Sequence, residues 1–122
     1  MNYIGVDVGG TNLVAGLVDE NGRILNKVNS PVSKDMTAPQ FGAELVRLSR
    51  QVCEVGSVGF DKIEAVGIGL PGVVDNRAGL FVQNPNMPFN DRNVPLRELF
   101  HQEWDVPVFL GNDANCAAVG EY

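Results

Sequence analysis

The chain has 122 residues, 44% hydrophobic and 20% charged, which fits one globular domain able to bury a sizeable core. Nine Lys and Arg against 15 Asp and Glu leave a formal charge of −6, which argues against the basic face that nucleic-acid binding requires. No apolar run approaches the roughly 18–20 residues of a membrane span, and Asn2, Tyr3 and Asp7 interrupt the place of a signal peptide. The expectation is a cytoplasmic protein with neither nucleic-acid nor membrane partners. Cys53 and Cys116 cannot form a disulfide framework and read as buried thiols, with a single bridge left open.

Residues 2–8 and 13–19 are short β-branched runs separated by Gly9-Gly10-Thr11-Asn12, the pattern of a hairpin. A second turn at Glu20-Asn21-Gly22 returns the chain as an antiparallel third strand over 23–32, stopped near Pro31. From Pro39 to Val55 the spacing changes: Phe41, Leu45, Leu48 and Val52 recur at helical intervals, with Arg47 and Arg50 off the stripe and Thr37 placed to cap. Residues 63–70 read as a fourth strand, parallel because a helix leads into it. Residues 71–94 read as a long Pro-, Gly- and Asn-rich loop holding a small hairpin at Val73-Val74 and Leu80-Phe81-Val82. Pro95 opens a short helix with Leu96, Leu99, Phe100 and Trp104 on one side, and 107–110 form a fifth strand. A last helix is expected from Ala114, capped by Asn112-Asp113; its two turns before Tyr122 read as a helix cut short.

Three clusters carry chemistry. Gly67-Ile-Gly-Leu-Pro-Gly72, with Asp91 further on, matches a dinucleotide fingerprint, but the residues after Gly72 read as extended chain. No helix N-terminus then meets a pyrophosphate, and the glycines serve close approach instead. Asp7-Val-Gly9-Gly10-Thr11 places successive backbone N–H groups and a hydroxyl at a hairpin tip, which suits phosphate oxygens as well as it suits an ordinary turn; Asp7 at the strand end could hold hydrated Mg²⁺. Asp113 is either a helix cap or, at a strand's carboxyl end beside a crevice, a residue facing a ligand. Asn84-Pro85-Asn86-Met87-Pro88-Phe89 reads as a polar loop with an apolar anchor, its Met and Phe being core or loop anchors. Its amides could bond sugar hydroxyls or their own turns, and His101 reads as a packing or solvated residue without a metal.

Asp7-Val-Gly-Gly-Thr-Asn12, Gly67-Ile-Gly-Leu-Pro-Gly-Val-Val-Asp75, Pro85-Asn86-Met-Pro-Phe89 and Asn112-Asp-Ala-Asn-Cys-Ala-Ala-Val-Gly-Glu121 stand in this order over the whole chain. Together they resemble the amino-terminal domain of the ROK family, within the actin-like ATPase or RNase H-like group. The resemblance implies an α/β fold: a mixed five-stranded sheet with an antiparallel meander, parallel fourth and fifth strands, and flanking helices. It implies that residues 1–122 are the amino-terminal lobe of an ATP-dependent hexose kinase, most often a glucokinase, with the carboxyl-terminal lobe absent from this chain. Carried over by position, Asp113 is the catalytic base and Gly72, Asn86 and Asn112 contact the sugar. Gly9, Gly10 and Thr11 meet the ATP phosphates, and Asp7 lies near Mg²⁺. Any zinc belongs to the absent lobe, and a homo-oligomer of the full-length protein is left open. Phe89 stands where many relatives carry Trp, which bears on sugar identity, and Cys116 replaces a common Ala.

Half a cleft cannot hold ATP and sugar together, so the isolated chain is expected to be inactive. A sugar-sensing regulator of the same family is the alternative. An actin-like ATPase without a sugar substrate is a third reading, disfavoured by the Asn112-Asp-x-Asn115 motif.

Overall fold

In the computed structural model, which describes residues 1–83 and 87–112, the chain order is β1 (Asn2–Val8), β2 (Asn12–Val18), β3 (Ile24–Pro31), α1 (Ala38–Val55), a 3₁₀ turn (Phe60–Lys62), β4 (Ile63–Gly69), β5 (Val73–Asp75), β6 (Leu80–Gln83), α2 (Leu96–His101) and β7 (Val108–Gly111). Five strands form one sheet in the order β3-β2-β1-β4-β7. The first three are an antiparallel meander, and β4 and β7 run parallel to β1. β5 and β6 pair by themselves as a small antiparallel hairpin.

The expected first hairpin closes tightly, with the Gly9 N–H donating to Asn12 O at 2.9 Å. The second turn is wider than an Asn-Gly turn alone. Asp19 Oδ1 accepts from the N–H groups of Asn21 and Arg23, and of Asn21 and Gly22 only Gly22 takes positive φ, +84°. An aspartate side chain that bonds its own backbone two residues on builds such a loop without two left-handed residues.

Helix α1 begins where Thr37 accepts from the Gln40 N–H while the Gln40 side chain accepts from the Thr37 N–H. This reciprocal cap is worth about 1 kcal/mol. Its buried stripe, Phe41, Leu45, Leu48 and Val52, covers one sheet face. Strand register puts Ile4, Val6, Leu13, Ala15, Leu17, Val66, Ile68, Val108 and Leu110 on that same face, all buried. Each such side chain contributes about 1.5–3 kcal/mol on burial.

Helix α2 is shorter than its apolar spacing predicts, ending at His101. Trp104 still reaches the core, its ring stacked on Phe100 with centroids 6.1 Å apart. A turn rather than more helix delivers it, the Trp104 N–H donating to Phe100 O at 3.0 Å. The His101 Nε2–H group donates to Val106 O at 2.7 Å, the packing role expected of it. Phe89 anchors its loop in the core: it is 7% exposed and lies 5.4 Å from the Phe41 ring. Cys53 is buried and free, and burial pushes its thiol up to about 11.

Candidate functional site

Because β1, β4 and β7 are parallel, their carboxyl ends lie side by side, the usual ligand edge of an α/β sheet. Asp7 of β1 is in register with Gly69 of β4, and Gly69 with Gly111 of β7. By the alternation of a strand, Asp7 points to the face opposite Val6 and Val8, away from α1. Its carboxylate is exposed and carries no hydrogen bond among the described residues. No β-carbon stands in the same row on β4 or β7.

The β1–β2 tip lies next to Asp7. Gly9, Gly10 and Thr11 are exposed. The turn uses the Gly9 N–H on Asn12 O and the Thr11 carbonyl on the Val32 N–H, at 3.0 Å. The N–H groups of Gly10 and Thr11 have no backbone partner among the described residues. These two amides and the hydroxyl fit phosphate oxygens, and the neighbouring carboxylate fits a hydrated Mg²⁺.

The exits of β4 and β7 are built differently. The Leu70 N–H continues the ladder to Gly111 O at 2.7 Å. The Asn112 Nδ2 group then donates to Leu70 O at 3.1 Å and to Gly72 O at 2.7 Å. Both amide hydrogens are thus spent on the neighbouring loop, and Oδ1 carries no hydrogen bond among the described residues. Gly72 has φ +92°, a conformation that strains any L side chain, so the bend after Pro71 depends on glycine. Beyond Gly72 the chain is extended β5, as expected; no helix opens through Gly67-x-Gly69-x-x-Gly72, and the dinucleotide reading fails on that ground.

The structure therefore brings Asp7, Gly9, Gly10, Thr11, Gly72 and Asn112 to one end of the sheet. Asn86, Asp113, Cys116 and the helix expected from Ala114 lie outside the described residues; Asp113 follows Asn112 directly in sequence. Among the described residues no group of three or more His, Cys, Asp and Glu is gathered to hold a metal, and no helix is long and apolar enough to cross a membrane.

Two residues at this end went unnoticed in the sequence, Asn76 and Arg97. Asn76 Oδ1 accepts from the Leu110 N–H at 2.8 Å and from Arg97 Nη2 at 2.7 Å, and Arg97 Nε donates to Val108 O at 2.8 Å. Their only sequence signals are an Asn beginning the turn before Gly79 and an Arg off the Leu96, Leu99 and Phe100 stripe.

The sequence pattern of the ROK family matches residues 3–122. The chain belongs to the ROK family. It is 39% identical to a glucokinase of Thermotoga maritima over 123 residues, covering 99% of this chain and 36% of that protein. Its fold matches the crystal structure of a ROK family glucokinase from Streptomyces griseus in complex with glucose and AMPPNP. That match has a TM-score of 0.79 and 34% identity, covering 95% of this chain and 34% of that one. A xylose repressor of Caldicellulosiruptor bescii is 39% identical over 59 residues, 48% of this chain and 14% of the repressor. This ROK chain thus spans about a third of the length of the kinases it matches. Its mixed sheet is the actin-like ATPase fold expected of the family.

Proposed function

We propose that this chain is the amino-terminal lobe of an ATP-dependent hexose kinase, with glucose the leading substrate, and that a carboxyl-terminal lobe completes the cleft. The observation that carries the reading is the pairing, at one sheet end, of a free-amide hairpin tip beside Asp7 with the Asn112-braced exits of β4 and β7. One half suits polyphosphate and the other a polyhydroxyl ligand. The Thermotoga and Streptomyces glucokinases support the same choice.

In this reading Gly10 and Thr11 donate backbone N–H groups to the ATP phosphates. Asp7 would hold Mg²⁺, which would neutralise charge on the transferring phosphoryl group. Asn112 and Gly72, with Asn86, orient the sugar. Asp113 accepts the proton of the sugar hydroxyl as its oxygen bonds the γ-phosphorus and the bond to ADP breaks. Phosphoryl transfer asks mainly for positioning and late proton acceptance, which a carboxylate can supply.

Release of ADP by the full-length protein, with Mg-ATP and a hexose panel, tests this reading. Sugar-dependent release is expected, falling about 10²- to 10⁴-fold in Asp113→Asn while sugar affinity stays within a few-fold. Equal loss of affinity would make Asp113 a binding residue. Residues 1–122 alone should give no sugar-dependent release, and a measurable rate would remove the need for a second lobe. The similarity to the xylose repressor favours a second reading, a sugar-sensing regulator; sugar binding without any turnover would select it.

A further inference from the structure

Asn76 and Arg97 close a ring around the candidate sugar side of the site. From Leu110 the chain runs two residues to Asn112, whose amide crosses to Gly72 O. From Gly72, β5 leads to Asn76, whose Oδ1 returns to the Leu110 N–H. Arg97 locks the return. Its Nη2 takes the second acceptor position of Asn76 Oδ1, and its Nε takes Val108 O one residue pair back along β7. Its own N–H donates to Gly79 O at 3.2 Å. Gly79, at φ +74°, leaves room for it, since a β-carbon there would sit 2.8 Å from Arg97 Cβ.

We propose that Asn76 and Arg97 are positioning residues for hexose binding. They hold the β5–β6 hairpin against β7 so that Gly72 and Asn112 face the sugar in one geometry. The physical reason is that Asn112 alone is a single hinge between two loops. A second tie, made by a charge-assisted pair, turns the two loops into one body. Nothing in the clasp reaches the β1–β2 tip, so its loss should fall on the sugar and spare ATP. The inference rests on the kinase reading for what Gly72 and Asn112 contact.

The test uses the full-length protein carrying Asn76→Ala, Asn76→Asp or Arg97→Met, with hexose Kd by calorimetry and separate KM values for hexose and ATP. Asn76→Ala and Arg97→Met should raise hexose Kd and KM about tenfold and leave the ATP KM within about twofold. Asn76→Asp keeps both acceptor positions and should stay near wild type. A purely structural role would lower thermal stability without separating the two substrates. Hexose and ATP constants that rise together, or neither rising, would overturn the positioning role. A wild type that binds hexose beside unchanged variants overturns that role alone, whereas a wild type that binds no hexose overturns the kinase reading with it. Should Asn76→Ala not fold, Asn76→Ser takes its place under the same criteria.

Discussion

The β1–β2 tip and the exits of β4 and β7 sit at one end of the same sheet and treat their polar groups in opposite ways. At the tip, the backbone amides of Gly10 and Thr11 have no backbone partner among the described residues, and both residues are exposed. At the exits, side-chain amides are spent within the protein, on Leu70 O, Gly72 O and the Leu110 N–H. The difference follows from the ligands proposed for each side. A phosphate chain offers many equivalent oxygens, so a short turn with free donors suffices. A hexose is told from its isomers by the placement of hydroxyls, so the loops that read it must hold still. Hydrogen bonds that keep the site in place are then as necessary as those left for the sugar.

Substitutions that cross this divide would break the comparison. Gly10→Val in the full-length protein places a branched side chain at the tip and should raise the ATP KM by about tenfold or more, with hexose Kd unchanged. A nucleotide constant that does not move would remove the phosphate from this turn. Asn112→Ala should do the reverse. It removes both ties to the β4 exit, weakening hexose binding several-fold and lowering stability by about 1–2 kcal/mol in a denaturant titration; a change confined to ATP would refute the division.

A smaller effect sharpens the comparison from behind the tip. Strand β3, whose continuation donates the Val32 N–H to Thr11 O, is tied to α1 by the Ser30 hydroxyl donating to Glu44 Oε2 at 2.6 Å. Glu44 also takes two hydrogen bonds from Arg47, which hold its carboxyl below the usual 4.5 against the opposing effect of burial. A depressed carboxylate pKa adds stability that is full above the unfolded value and is lost as pH falls through the folded one. Arg47 is half exposed, with 54% of its side chain accessible, so solvent screening limits the gain to about 0.5 kcal/mol. Glu44→Gln should therefore cost about that much at pH 7 and progressively less as pH falls below 4.5 through the folded carboxyl's own titration, measured by urea midpoints. A difference that does not shrink as pH falls would mean the loss is one of shape and not of charge.

The meander was legible because glycine-bearing turns punctuate it, and α1 because Thr37, Pro39 and the Phe41-Leu45-Leu48-Val52 stripe agree on its start and its buried face. The end of α2 was not, since Trp104 falls on the helical spacing while the chain reaches the core by a turn. Phe89 was legible as an apolar anchor but its partners were not, since a ring between prolines and asparagines does not reveal that it meets Phe41 and Phe81. On the candidate site, motifs marked the tip and Asn112 because their chemistry is local. Asn76 and Arg97 were hidden because their partners are backbone groups 34 and 11 residues away, and backbone groups leave no trace in composition or spacing.

The bonds from Arg97 to Val108 and from Asn76 to Leu110 also bear on how this protein behaves in a crowded solution. Those are two of the groups that β7, at the margin of the sheet, would offer to a strand from another molecule. With both occupied, strand addition there must first break a charge-assisted clasp. The opposite margin, β3, depends on Lys27 and Pro31 for the same protection.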